Sequence, residues 1–197
     1  MLTKTQEIIL DLLMSSTEEH LTIRGIAKEL RKSYTLVYNN IADLEKNGII
    51  KKKDVPPAKI ITLNESAPDY IFVGIELKRK NLFIKKYIWA RVMLDDILSS
   101  TNNFFILLVF GSYAKGKETR KSDLDLLCIV DDKNRIKESE NALHMAYTKV
   151  KKGVVVVSVE DFKEMIKDKA SFNVGNEARK HHVILHGAEQ YYSILNK

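Results

Sequence analysis

The apolar positions of the first third recur at helical spacing. Between residues 5 and 15, Ile8, Ile9, Leu12 and Leu13 fall where one face of a helix would put them. Residues 22–30 repeat the pattern with Ile23, Ile26, Ala27 and Leu30, behind Thr22 as a capping residue. After Arg31-Lys32, Ser33 caps a third helix with Val37, Ile41 and Leu44 inward, and Asn47-Gly48 stops it. Two short alternating runs, 49–53 and 59–63, flank Asp54-Val55-Pro56-Pro57-Ala58, which is a hairpin pattern. The polar stretch from Asn64 to Pro68 marks a boundary. Tyr70 to Leu82 reads as a helix broken at Gly74. Lys85 to Ser99 reads as another, with Tyr87, Ala90, Leu94, Ile97 and Leu98 in its stripe.

The second half is punctuated by continuous apolar runs, the signature of strands covered on both faces. They predict strands near 104–110, 123–130, 154–159 and 182–186. Helices fit between and after them: one to about Val150 with Ile136, Leu143, Ala146 and Val150 inward, then Glu160 to Lys169, Asn173 to Lys180 and Ala188 to Leu195. The fold class expected is α+β, with three helices and a hairpin in residues 1–66 and a mixed four-stranded sheet with helices in residues 67–197.

Composition narrows the setting. With 197 residues, 45% hydrophobic and 29% charged, the chain has room for one large domain or two small ones. No apolar run reaches membrane-spanning length, and the start, MLTKTQEIIL, does not resemble a signal peptide. One cysteine, Cys128, sits in an apolar run, so no disulfide forms within one chain. A cytoplasmic location and no membrane partner are expected. The net charge of +6 favours polyanionic partners.

The chemistry concentrates in residues 110–130, FGSYAKGKETRKSDLDLLCIV. Gly111-Ser112 follows one strand; ten residues later Asp123-Leu124-Asp125 opens the next. Residues two apart on a strand share a face, so the two carboxylates project together and repel unless a cation neutralises them. Mg2+ suits such oxygens and keeps phosphate ligands. Gly111 admits close backbone approach, and Ser112 offers a hydroxyl at a helix start, where free N–H groups favour an anion.

This arrangement resembles the signature of the DNA polymerase β-like nucleotidyltransferase superfamily: Gly-Ser, about ten residues, then Asp-x-Asp. Tyr113-Ala114-Lys115-Gly116 is similar to the Tyr-Ala-Arg-Gly of its minimal members, and Arg120-Lys121-Ser122 to the basic-Ser pair before their acids. The resemblance implies that Asp123 and Asp125 are catalytic and hold Mg2+. It implies that Gly111, Ser112, Lys115 and Lys121 bind a nucleoside triphosphate, and that a nucleoside monophosphate passes to an acceptor hydroxyl. Some relatives of this kind act as antitoxins that modify a toxin-like protein partner. The family also has a third carboxylate on the strand after the intervening helix. Here that strand, VVVVSV, has none, and Glu160, the one acid that could substitute, is expected to begin the next helix.

Three helices, a tight turn before the third, and a hairpin resemble a winged helix-turn-helix domain. The resemblance implies that the third helix enters the major groove of double-stranded DNA, presenting Tyr34, Thr35, Tyr38, Asn39 and Lys46. Asn39 or Asn40 would read an adenine edge. Arg24, Lys28, Arg31, Lys32 and the hairpin's Lys51, Lys52 and Lys53 would meet phosphates. Between Leu21 and Lys53 there are eight Lys/Arg against three Asp/Glu, which places the excess charge there. A homodimer on two half-sites is a further expectation. Two functions remain open: a Mg2+-dependent nucleotidyltransferase coupled to DNA, or a DNA-binding regulator or antitoxin-like protein whose transferase domain binds nucleotide or a partner without catalysis. His181-His182 and His186 invite a zinc reading but lack ligand spacing, and are expected to be structural or surface residues.

Overall fold

The computed structural model describes residues 1–15, 21–56, 58–101, 104–168 and 171–195. Pro57 of the predicted turn and Lys169, a predicted helix end, lie outside them. The chain divides into two units, Met1–Ile75 and Glu76–Lys197.

In the first unit, α1 (Lys4–Ser15), α2 (Ile23–Glu29) and α3 (Tyr34–Lys46) precede an antiparallel hairpin of β1 (Ile50–Val55) and β2 (Ala58–Leu63). The caps are those the sequence signals. Thr22 Oγ1 accepts from the Gly25 N–H at 3.1 Å and Ser33 Oγ from the Leu36 N–H at 3.3 Å. Each such cap stabilises a helix by about 1 kcal/mol. Arg31 takes a left-handed φ of +50°, which turns the chain sharply between α2 and α3. Residues 21–22 join the hairpin as a third pairing: Ile61 N–H donates to Leu21 O at 2.8 Å, and Thr22 bridges Ile60. Val37, Ile41 and Leu44 are buried as expected. The stripe of α1 is rotated: Ile9, Leu10, Leu13 and Met14 are buried, while Ile8 and Leu12 are only half-buried. Ile8, Ile9, Leu12 and Leu13 span an arc that admits either neighbour pair, and packing selected Leu10 and Met14 to complete it.

The connector differs from its sequence reading. α4 runs unbroken from Asp69–Lys86 through Gly74, where no atom comes within 4 Å of a Cβ position. A single glycine costs a helix about 1 kcal/mol, which tertiary packing readily offsets. α5 therefore begins at Trp89 and ends at Ser100, burying Ala90, Met93, Leu94 and Ile97, while Leu98 stays 37% exposed.

The second unit is built on a four-stranded mixed sheet of order β5-β4-β3-β6. β3 (Phe105–Phe110) pairs antiparallel with β4 (Leu124–Val130) and with β6 (Val183–His186), and β4 pairs parallel with β5 (Lys152–Ser158). One turn of helix, α6 (Gly111–Ala114), follows β3. α7 (Ile136–Met145) stops well before Val150. α8 (Val159–Lys167), α9 (Val174–Lys180) and α10 (Ala188–Leu195) complete the unit. Alternate residues of the central strands enter different cores. Leu107, Val109, Leu124, Leu126 and Cys128 pack with Met93, Leu94 and Leu143 on one face. Ile106, Leu108, Leu127 and Ile129 pack with Phe162, Ala178 and Tyr191 on the other. No helix among the described residues is long and apolar enough to cross a membrane.

Candidate active site

The acids stand where β4 begins. Asp123 immediately precedes the strand and is exposed; Asp125 is its second residue and is half-buried. Leu124 and Leu126 point into the first core, so Asp125 shares the face of Leu127 and Ile129. Its strand partners are Phe110 on one side and Gly153 on the other.

The Gly-Ser turn closes against this carboxylate. Gly111 has φ +66°, and a Cβ there would lie 2.1 Å from Asp125 Oδ2. Both facts demand glycine: the left-handed backbone, and an approach that leaves no room for a methyl group. On the opposite flank a Cβ at Gly153 would come within 3.3 Å of Asp125 Oδ1. Two glycines thus make a slot for one carboxylate. Burial, and then the charge of Asp123, push the Asp125 carboxyl above its ordinary value. Neither acid has a hydrogen bond or ion pair among the described residues.

Ser112 follows Gly111 in the same turn. The Lys115 N–H donates to Gly111 O and the Lys117 N–H to Ser112 O, at 3.2 and 3.0 Å, so the loop returns across the turn. Lys115 and Lys121 are exposed on that loop. Thr119 and Ser122 brace it, Ser122 Oγ accepting from the Thr119 N–H at 2.9 Å. Its one acid is turned away from the rest: Glu118 Oε1 accepts from Lys86 Nζ of α4 at 2.8 Å. Lys86 holds the Glu118 carboxyl down to about 2, and Glu118 raises the Lys86 ammonium to about 12.

Sequence reasoning missed Gly153, Lys151 and the Lys86–Glu118 pair. Leu124 N–H donates to Lys151 O at 2.7 Å, which fixes the start of β5 beside the acids. These neighbours come from a parallel pairing across an intervening helix and from an earlier helix, and no local pattern announces them. Glu160 lies in the first turn of α8, two residues beyond the end of β5, bound to Lys133 at 3.3 Å. The Ser158–Val130 and Gly153–Asp125 pairings put it more than about 16 Å along the sheet from Asp125. Among the described residues no group of three or more His, Cys, Asp or Glu is placed to hold a metal. The histidines are engaged elsewhere: His182 Nδ1 donates to Ala178 O at 2.8 Å, and His186 stacks on Phe105.

In the first unit, Arg24, Lys28, Tyr34, Thr35, Tyr38, Asn39, Lys46, Lys51 and Lys53 are exposed and Lys32 is half-exposed. Asn40 and Lys52 are committed internally. Asn40 Nδ2 donates to Leu36 O at 2.7 Å and its Oδ1 accepts from Thr3 Oγ1. Lys52 pairs with Glu45 and lies 5.9 Å from the centre of the Tyr38 ring. Of the two asparagines, Asn39 alone keeps a free amide at the surface.

Residues 102–183, under half of the chain, match the model of the nucleotidyltransferase domain family. No curated protein matches the chain. Among solved structures, that of a proposed nucleotidyltransferase of Sulfolobus solfataricus is 20% identical over 47% of this chain and 81% of its own, with a TM-score of 0.33. That score is too low for the likeness to add to the geometry.

Proposed function

We propose that the chain is a metal-dependent nucleotidyltransferase that moves a nucleoside monophosphate from a nucleoside triphosphate to an acceptor hydroxyl. The observation that supports this best is the closure of the Gly111 turn on the Asp125 carboxylate, with Asp123 beside it. A half-buried carboxylate beside a second one, neither with an ion-pair partner among the described residues, is a donor set for a hard divalent ion. Asp123 and Asp125 would hold Mg2+, which when bound neutralises the acids and the charge growing on the triphosphate. Gly111 would serve the nucleotide by the left-handed turn that closes on Asp125 and leads into Ser112. Ser112 offers its hydroxyl and Lys115 and Lys121 their ammonium groups to the same triphosphate. The acceptor oxygen bonds to the α-phosphorus as the bond to pyrophosphate breaks.

With Gly153 beside Asp125 in place of a third acid, no base for the acceptor hydroxyl stands beside the two acids among the described residues. That favours a slow reaction, and it keeps alive the second reading: a domain that binds nucleotide or a toxin-like protein partner without transfer.

In the same proposal residues 1–66 are a winged helix-turn-helix that binds double-stranded DNA, and residues 67–197 are the transferase part. The exposed surface of α2, α3 and β1 supports it: Arg24, Lys28 and Lys32 beside Tyr34, Tyr38 and Asn39, with Lys51 and Lys53 on the hairpin. Pairing on two half-sites would make a homodimer.

Incubation with α-labelled nucleoside triphosphates and Mg2+ tests the transferase. Label should pass to an acceptor with the wild-type chain and not with Asp123→Asn. Nucleotide binding without any transfer would select the second reading.

A further inference from the structure

The two edges of the four-stranded sheet are built differently. The order β5-β4-β3-β6 leaves one side of β5 and one side of β6 unpaired among the described residues. An open strand edge invites pairing with another chain, and folds discourage it with short strands, bulges, prolines or outward charges. β6 carries two of these devices: it has four residues, and its register with β3 shifts between Leu107 and Leu108. β5 carries none. Its seven residues run in unbroken register with β4, and its centre is Val154-Val155-Val156-Val157. Its one lysine does not guard the edge, because Lys152 is half-buried and donates to the Ala146 carbonyl.

One bond sets which backbone groups face outward. Leu124 N–H donates to Lys151 O at 2.7 Å, so Lys151 turns its carbonyl to β4. Backbone groups alternate sides along a strand. Gly153, Val155 and Val157 therefore also face β4, while Val154 and Val156 face outward. No backbone hydrogen bond leads from Val154 or Val156 to a segment beyond the sheet among the described residues. The two ends of β5 differ in charge. Lys149 and Lys151 are exposed just before it. Glu160, 83% exposed, and Asp161 follow it in the first turn of α8. Both acids meet Lys133, at 3.3 and 2.9 Å, which leaves that trio net negative. Two β5 strands laid parallel would set like charges together. Laid antiparallel, they set the lysines of each copy toward the acids of the other at both ends. This complementarity selects a second copy of the chain as the occupant of the edge.

We propose that β5 pairs antiparallel with β5 of a second copy, joining the two four-stranded sheets into one about a two-fold axis. Residues 152–158 are symmetric about Val155. The fully paired register therefore sets Val154 opposite Val156 of the partner subunit, exchanging hydrogen bonds, and Val155 opposite Val155 of the partner subunit without them. The contact belongs to the second unit and depends neither on the transferase reading nor on DNA.

Sedimentation velocity of the full chain without DNA, over a range of protein concentration and salt, is the test. Wild type should form dimers that weaken as salt rises. Val156→Pro removes an outward N–H and no bond to β4. It should weaken the dimer at least about tenfold, because the two-fold axis loses that bond twice. Circular dichroism should show the variant still folded. Val155→Cys gives a reading that does not depend on proline: on oxidation it should cross-link to its own copy, while native Cys128, 1% exposed, should not. Lys149→Glu/Lys151→Glu and Glu160→Lys should each weaken self-association. Mixed together they should pair again, because opposite charges then face each other at both ends. A chain that stays monomeric up to about 0.1 mM would overturn the proposal and pass the edge to an extended segment of another protein. A dimer indifferent to Val156→Pro and to the charge variants would overturn it too, by placing the contact elsewhere. So would oxidised Val155→Cys dimers that never cross-link.

Discussion

Asp125 is asked to do two things that conflict. Its slot between Gly111 and Gly153 strips it of water and places it beside Asp123, and both effects disfavour its ionised form. A carboxyl whose folded-state pKa is raised binds its proton more tightly in the fold than in the unfolded chain. The metal-free fold therefore loses stability as pH rises from the unfolded value through the raised one, and carries the full penalty above both. Asp125→Asn removes the charge and keeps the shape. At neutral pH in a chelator it should melt a few degrees above wild type, although it lacks a residue the chemistry needs. Mg2+ with a nucleoside triphosphate should then raise the wild-type midpoint and leave the variant unmoved, because only the former gains a ligand on folding. Thermal melts of both proteins in both buffers decide it. A variant that melts lower in chelator would mean that Asp125 is held by contacts other than these.

At the level of elements, α3 and the hairpin show what a sequence can and cannot carry. Caps and inward stripes are local, so Thr22, Ser33, Val37, Ile41 and Leu44 were legible from spacing alone. The Gly-Ser and Asp-x-Asp pieces were legible because their signal is also local: a spacing of ten residues between the end of one strand, β3, and the start of the next, β4. What escaped was settled between elements. α4 continues through Gly74 because packing outweighs a weak local preference. Gly153 and Lys151 meet the acids through a register that depends on the parallel β4–β5 pairing. Lys51, Lys52 and Lys53 look equivalent in sequence, yet β-strand alternation splits them. Lys52 turns to Glu45 and Tyr38, while Lys51 and Lys53 face solvent. If the hairpin lies on duplex DNA, Lys51→Ala/Lys53→Ala should reduce the log-log salt slope by about 1.8, at roughly 0.9 per phosphate. Lys52→Ala should change it by much less. Duplex binding followed over salt gives both slopes, and equal effects of all three lysines would refute this division of the strand.

Across the molecule, Asp123 and Asp125 have no side-chain partner among the described residues, while Glu76 lies in a buried cluster of polar groups. Glu76, where the second unit begins, is 1% exposed and sits among groups from its own helix and from two other segments of that unit. Its Oε1 accepts from Arg79 Nη1 at 2.8 Å and from the Tyr192 hydroxyl at 3.3 Å, and His182 Nε2 stands 3.6 Å away. Burial alone would push this carboxyl up; His182, Arg79 and Tyr192 together hold it below its ordinary 4.5. So depressed a carboxyl contributes stability that is fully present above 4.5 and is lost as pH falls through its lower folded-state value. Glu76→Gln would leave Arg79 and His182 facing a neutral group inside the unit. Removing one partner of a buried ionic cluster costs about 3–5 kcal/mol. Urea unfolding should show that loss between pH 6 and 8, with the wild-type and variant curves drawing together as the pH drops below about 4. A pH-independent gap would mean that Glu76 stabilises the unit by shape and hydrogen bonding, not by its charge.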